Sequence, residues 1–342
     1  MPRVAERGPI RVGIVGGGSI AQAHLDGYLL AGDAARVTAI ADIDPKNAKR
    51  SAKRAGGARI FTDYREMIES GLVDAVDICL PHHLHKDAIV AAAAAGKHVL
   101  CEKPLCLTVA EGEAVTEAVA RSGITLMCAH NQLFLPAVAR AHQMIADGVL
   151  GKVYEARTTD SFANPLDPKT IGWRGPRETS GGGELIDTGY HPTYLLLHLI
   201  PSQPLEVAAM LSRYRLDFLE GEDSAEVMVR FADGAVGTMM TSWAYDPPAT
   251  TEKFSVVGEK GTLWSDGRTL RHRPRGGRTT IVAKYPPPKP HTIALEIVDF
   301  IACLREGRRP INTEVEGISV LKVILAAYAS AERKQIVALS DL

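Results

Sequence analysis

Three consecutive glycines, Gly16-Gly17-Gly18, stand between an apolar run from Ile10 to Val15 and a stretch of helical length beginning at Ser19. No other feature restricts the fold of this chain as strongly. The segment reads G-x-G-x-x-A at Gly16, Gly18 and Ala21, and each position has a physical reason. The first allows a tight turn, the second lets the backbone approach a pyrophosphate, and the small third permits close packing of helix on strand. A helix N-terminus at Ser19 and Ile20 offers free N–H groups and the positive end of its dipole to an anion. The next β-branched run, Val37 to Ala41, ends at Asp42, 21 residues after Ala21, where an acid accepts hydrogen bonds from the adenosine ribose. A glycine turn alone serves equally well to reverse a chain; strand, helix and acid at these spacings make dinucleotide binding the expectation. A carboxylate at 42 repels a 2′-phosphate, which favours NAD over NADP. Lys46 and Arg50 follow closely, and basic groups there can accommodate that phosphate, but a solvated helix face is the plainer reading.

From Ile10 to about Ala129, β-branched runs alternate with Ala-rich helical stretches, the pattern of βαβ units in a doubly wound parallel sheet. Strands are expected at Ile10 to Val15, Val37 to Ala41, Ala75 to Leu80, His98 to Cys101 and Thr125 to Ala129. Beyond Leu133 strand-like segments dominate: Gly151 to Thr159, Leu205 to Arg213, Glu226 to Phe231, Val236 to Trp243 and Lys253 to Val257. Turn signals at Ala232-Asp233-Gly234 and Gly258 to Gly261 fit hairpins between them. The Arg-, Gly- and Pro-rich stretch from Asp266 to Pro290 reads as an irregular excursion, and helices near His291 to Glu306 and Glu314 to Arg333 close the chain. The division expected is a dinucleotide-binding domain over 1–130 and a second domain over 131–342, in keeping with 342 residues of which 46% are hydrophobic.

A formal charge of −1 gives no attraction to nucleic acid or anionic lipid. The start, Met1 to Pro9, lacks the apolar core of a signal peptide, and runs such as Ala88 to Ala95 fall far short of a membrane span. A soluble cytoplasmic protein with a small-molecule substrate is expected. The five cysteines read as reduced thiols, and no chemistry is assigned to them.

Two further segments carry chemistry. Glu102-Lys103-Pro104 follows the strand His98 to Cys101, placing a lysine at the carboxyl edge of a parallel sheet, where it can donate to a substrate hydroxyl and stabilise charge on oxygen; a surface Lys held by Glu102 is the plain alternative. Downstream, Gly181-Gly182-Gly183 leads to Asp187 and His191, with Pro192 marking a first helical turn. Histidine suits proton transfer near neutral pH, although taken alone a capping or core His is the more common case.

Taken together, Gly16-x-Gly18-x-x-Ala21, Asp42, Pro81 to His85, Glu102-Lys103-Pro104 and Gly181-Gly182-Gly183 with Asp187 and His191 resemble the glucose-fructose oxidoreductase and inositol dehydrogenase family, Gfo/Idh/MocA. The resemblance implies an α/β protein: an N-terminal Rossmann domain, then an α+β domain with a large open, mostly antiparallel sheet that assembles homodimers or homotetramers. It implies that Lys103 contacts substrate and nicotinamide ribose, that His191 takes or returns the hydroxyl proton, and that Asp187 holds substrate or tunes His191. Cofactor contacts are then expected from Gly16, Gly18, Ser19, Ile20, Asp42, Leu80, Pro81, His82, His85, Glu102, Lys103 and Asn131. Two positions depart from the common pattern: His82, where Asn is frequent, and Leu133, where Arg is frequent.

Trp173 and Arg174 lie in a loop that resembles the family's substrate loop; an aromatic face and a guanidinium suit polyols, and packing on their own domain is the alternative. Asn131 and Gln132 are candidates for the carboxamide or substrate, and Tyr154 and Asp160 for the sheet face. His82, His83 and His85 have a metal-like composition but no common direction, so no metal is assigned. His198 shares the His191 helical face among apolar neighbours and reads as structural. The leading expectation is an NAD-dependent oxidoreductase acting on a secondary alcohol of a sugar, cyclitol, sugar acid or glycoside. A tightly bound NAD that transiently oxidises a sugar, for glycoside cleavage or hydride exchange, uses the same residues. A non-catalytic dinucleotide sensor has no need of Lys103 and His191 together.

Overall fold

The computed structural model describes residues 8–246 and 251–342; Met1 to Arg7 of the leader reading lie outside them. In chain order the elements are β1 Ile10–Val15, α1 Ser19–Ala31, β2 Ala35–Ala41, α2 Pro45–Arg54, β3 Arg59–Phe61, α3 Tyr64–Glu69, β4 Ala75–Ile78, α4 His85–Ala94, β5 His98–Cys101, α5 Val109–Ser122 and β6 Leu126–Cys128. Then come α6 Pro136–Ala146, β7 Val153–Ser161, α7 Arg177–Ser180, α8 Glu184–Asp187, α9 Tyr190–Leu199, β8 Pro204–Ser212, β9 Ser224–Phe231 and β10 Val236–Ser242. The chain closes with β11 Phe254–Gly258, β12 Gly261–Ser265, β13 Thr269–Pro274, β14 Thr280–Lys284, α10 Thr292–Glu306, α11 Glu314–Arg333 and β15 Val337–Ala338.

Two compact units emerge, Met1–Asn131 with Lys289–Ile318, and Gln132–Pro288 with Ser319–Leu342. The first is built on a six-stranded parallel sheet in the order β3-β2-β1-β4-β5-β6, the doubly wound arrangement whose topological switch lies between β1 and β4. Strand β3 is an addition to the five expected: three residues with only Phe61 buried make too short a pattern to stand out. The first unit also takes up 289–318, a return that a division at residue 130 does not provide. Its cause is packing: Gly27 of α1 leaves room for Ile297 of α10, whose atoms would lie 2.6 Å from a Cβ there.

The second unit carries a nine-stranded sheet, β14-β13-β12-β11-β7-β10-β9-β8-β15, antiparallel except for the parallel pair β7 and β10. The excursion expected over Asp266 to Pro290 instead contains β13 and β14. Their pattern is masked because both strands are largely half-buried or exposed, Leu270 being the one fully buried residue of β13, and because Lys284 sits on the edge strand β14, where a charge guards against strand addition. Helix α9 covers one sheet face with buried Tyr194, Leu195 and Leu196, and the Thr158 hydroxyl donates to the Pro192 carbonyl at 2.8 Å. Along β9 burial alternates, so Val227 and Val229 face inward while Met228 points out. Among the described residues no helix is long and apolar enough to cross a membrane.

Candidate active site

In the first unit, Gly16 leaves β1 with φ of +93°, and a Cβ there would lie 2.5 Å from the Cys79 carbonyl oxygen. Only glycine fits. Its N–H donates to Ala41 O at 2.8 Å. The Gly17 N–H donates to Asp42 Oδ2 at 2.7 Å, and the Asp44 N–H to Oδ1 at 2.7 Å. The acid at the end of β2 therefore also fastens the glycine turn. Arg50 donates to the Gly17 carbonyl at 3.0 Å, as does the Ser51 hydroxyl at 3.0 Å. Arg50 and Lys46 are both exposed, as a solvated helix face requires, and Arg50 in addition ties down the turn.

Gly18 caps α1 with no side-chain bond and no acid follows in the first turn. A Cβ at Gly18 would meet nothing within 4 Å, and Ser19 and Ile20 are exposed. The first-turn N–H groups have an open approach and no acid within their own turn, which suits a pyrophosphate. These residues fit NAD.

Past β4, Leu80 and Pro81 lead to His82, which is buried, and to His85, whose ring nitrogens lie 2.8 Å from Leu80 O and 2.7 Å from Pro104 O. Burial lowers the His85 pKa, the two carbonyls offsetting part of it. The ring braces the two loops that carry Leu80 and Lys103. Lys103 is half-buried, and its N–H donates to its neighbour's Glu102 Oε2 at 3.0 Å. Asn131 donates to the Thr292 hydroxyl at 3.2 Å.

In the second unit, the glycine run lies against the chain at Glu222: a Cβ on Gly183 would stand 2.0 Å from the Glu222 carbonyl oxygen. Glu222 accepts the Leu185 N–H at 2.8 Å and the Tyr328 hydroxyl at 3.0 Å. The run thereby seats α8, at whose end Asp187 accepts Arg174 Nε at 2.8 Å. The Arg174 guanidinium lies 4.3 Å from the centre of the Trp173 ring. Trp173, Arg174 and Asp187 are thus brought together. His191, second in α9, has Nδ1 2.8 Å from the Tyr194 hydroxyl, which accepts the Gln132 N–H at 3.0 Å.

Asp160 accepts Lys253 Nζ at 2.8 Å and Gln132 Nε2 at 3.0 Å. Burial opposes its ionisation, but the charges of Lys253 and His191 outweigh that and lower its pKa. Lys253 and Tyr194 escaped the sequence reading, since a lysine within a strand-like run carries no signal of its own. Tyr154 is exposed, Leu133 is buried, and His198 stacks on His142 at 3.8 Å, with burial and His142 lowering it to about 3.

Residues 10–130 match the Gfo/Idh/MocA description "Oxidoreductase family, NAD-binding Rossmann fold", and residues 138–264 match the "GFO/IDH/MocA C-terminal domain". The chain belongs to the Gfo/Idh/MocA oxidoreductase family. This Gfo/Idh/MocA chain is 33% identical to levoglucosan dehydrogenase of Pseudarthrobacter phenanthrenivorans over 285 residues, 74% of this chain and 73% of that protein. It is 26% identical to myo-inositol 2-dehydrogenase of Thermotoga maritima, covering 97% of this chain and 99% of that one. A solved levoglucosan dehydrogenase in complex with NADH and levoglucosan superposes with a TM-score of 0.88 at 27% identity, over 97% of this chain and 99% of the other. The first unit is accordingly an NAD-binding Rossmann domain, and the chain is a dehydrogenase or reductase.

Proposed function

We propose that this oxidoreductase moves a hydride between NAD and a secondary alcohol or ketone of a sugar, cyclitol, sugar acid or glycoside. The observation that carries the reading is the grouping of Asp187, Arg174 and Trp173 in the unit that holds His191. A carboxylate, a guanidinium and an aromatic face suit a ring bearing several hydroxyls. Relatives named for levoglucosan and myo-inositol support the same class.

In the oxidative direction His191 takes the hydroxyl proton, and Lys103 donates a hydrogen bond to the substrate as negative charge develops on oxygen. Bound NAD supplies the hydride acceptor. Asp187 and Arg174 hold neighbouring hydroxyls. Gly16, Gly18, Ser19, Ile20 and Asp42 bind the pyrophosphate and adenosine ribose; Leu80, Pro81, His82, Glu102 and Asn131 serve the nicotinamide end, with His85 acting through its two carbonyl contacts. The exposed face of the second unit's sheet is the surface for homodimer or homotetramer assembly, and five buried free cysteines suit the reducing cytoplasm.

The test is His191→Ala, assayed on levoglucosan and myo-inositol with NAD. Turnover is expected to fall about 10²- to 10⁴-fold, the scale of lost general acid-base catalysis, while NADH affinity measured by fluorescence stays unchanged. Unaltered turnover removes His191 from the mechanism.

A further inference from the structure

The interior of the first unit contains ionisable side chains that the proposed chemistry leaves unused. Asp77 lies within β4 between Val76 and Ile78, all fully buried, and an acid on a central strand is costly unless it is partnered. It accepts the Tyr28 hydroxyl at 2.9 Å and the Cys79 thiol at 3.6 Å, and faces His24 Nδ1 at 2.8 Å. The other ring nitrogen, His24 Nε2, lies 3.0 Å from Glu102 Oε1. The second oxygen of Glu102 accepts the main-chain N–H of Lys103 at 3.0 Å. A continuous chain of contacts therefore runs from β4 through α1 to the main chain of Lys103.

A neutral imidazole has one N–H, so a ring facing carboxylate oxygens at both nitrogens is suited to donating from both as the imidazolium. Burial opposes a charge on His24, but Asp77 and Cys79 outweigh it and its pKa stands well above the ordinary value. Burial would push Glu102 up, yet His24 and Lys103 hold it at about 2. From α10, Glu296 adds a third acid. It is fully buried, with no hydrogen-bond partner on either oxygen, and burial together with Glu102 and Asp77 raises its pKa well above the usual range. Asp299 on the same helix adds its charge. His24, Asp77 and Cys79 also bring three ligand-type atoms within 4.8 Å of one another, but all three are engaged in mutual hydrogen bonds.

We propose that His24 is a positioning residue for the reaction: through Glu102 it fixes the main chain of Lys103 and ties it to α1, the helix whose first turn serves the cofactor phosphates. The inference rests on the reading of Lys103 as the substrate contact. A buried ion pair adds little net stability over an apolar pair of similar size. What this one supplies is direction, because it joins the middle of the cofactor helix to one residue of the sheet edge.

The experiment compares wild type with His24→Gln in the full chain. Without cofactor, amide exchange at Lys103 is expected to rise about tenfold, the scale of one lost hydrogen bond, while the amides of Gly16 and Gly17 keep their rates. With NAD and levoglucosan or myo-inositol, kcat is expected to fall on the order of 10²-fold, as a small misplacement of a reacting group does. NADH affinity should stay within about twofold, since the glycine turn is untouched. In a Lys103→Met background the same change should have no further effect on single-turnover rate.

Unchanged exchange at Lys103, or an equal loss of rate in the Lys103→Met background, overturns the proposal. Full turnover by Lys103→Met alone overturns instead the reading of Lys103, and the exchange measurement, which needs no substrate, separates the two. Should His24→Gln not fold, Glu102→Gln keeps the shape, removes the charge that His24 binds, and is expected to give the same exchange and rate pattern.

Discussion

Asp42 holds the amide of Gly17 with one carboxylate oxygen and that of Asp44 with the other, and both oxygens retain capacity for the ribose hydroxyls. Replacing it removes a charge-assisted bond to the turn and the repulsion of a 2′-phosphate together. Asp42→Ala is expected to lower kcat/KM with NAD and to narrow the NAD to NADP ratio by about tenfold or more, the scale of one charge-assisted bond. Because Arg50 is bound to the Gly17 carbonyl, the change should not by itself create an NADP enzyme. Equal ratios of kcat/KM before and after would refute the assignment.

Helix α10 brings Glu296 into the buried cluster of α1, β4 and the end of β5, where burial and neighbouring carboxylates raise its pKa well above the ordinary value. The folded chain then keeps a proton that the unfolded chain gives up above the usual Glu range. The native state binds more protons there, so stability falls as pH rises, by up to about 1.4 kcal/mol per pH unit until the folded group titrates. Glu296→Gln, uncharged and similar in shape, should flatten that slope and raise the melting temperature at neutral and alkaline pH. Thermal melts across pH check it; an unchanged slope would mean that Glu296 ionises freely in the native state.

The same elements mark what the sequence reveals. The glycine turn, Asp42 and the alternation of strand and helix are legible because each imposes a local backbone or spacing requirement. Strand β3 is too short for a period to register, and β13 and β14 carry charged, mostly exposed residues that read as loop. Asp77 did leave a signal, an acid inside the apolar run Ala75–Ile78, but its partners His24, Tyr28 and Glu296 come from distant segments and are brought to it only by the fold. Likewise Lys103, Asp187 and His191 stand out by motif, whereas the Arg174 contact to Asp187 and the Lys253 contact to Asp160 depend on tertiary geometry.

At the scale of the whole molecule, one face of the second unit's sheet is exposed among the described residues. Cross-strand register aligns Met228 with Ala208 and Thr238, and Met210 with Glu226, and Met210 and Met228 are 79% and 53% exposed. Exposed methionines beside Glu226 and Arg230 on a wide sheet make a mixed face of the kind that the proposed second copy of the chain would cover. Met210→Asp with Met228→Asp is expected to shift the sedimentation coefficient to that of a monomer while the folded secondary structure persists; a wild type that already sediments as a monomer would contradict the assembly.

Net hydride transfer between NAD and a polyol is read from the absorbance of NADH when the purified chain is mixed with NAD and, in turn, levoglucosan, inositols, aldoses, sugar acids and glycosides. At least one ring polyol is expected to yield NADH in proportion to substrate consumed, with a weaker response when NADP replaces NAD. A chain that binds NAD yet forms no NADH with any of them would contradict net hydride transfer, and NAD released only on denaturation would then point to a cofactor that cycles without leaving.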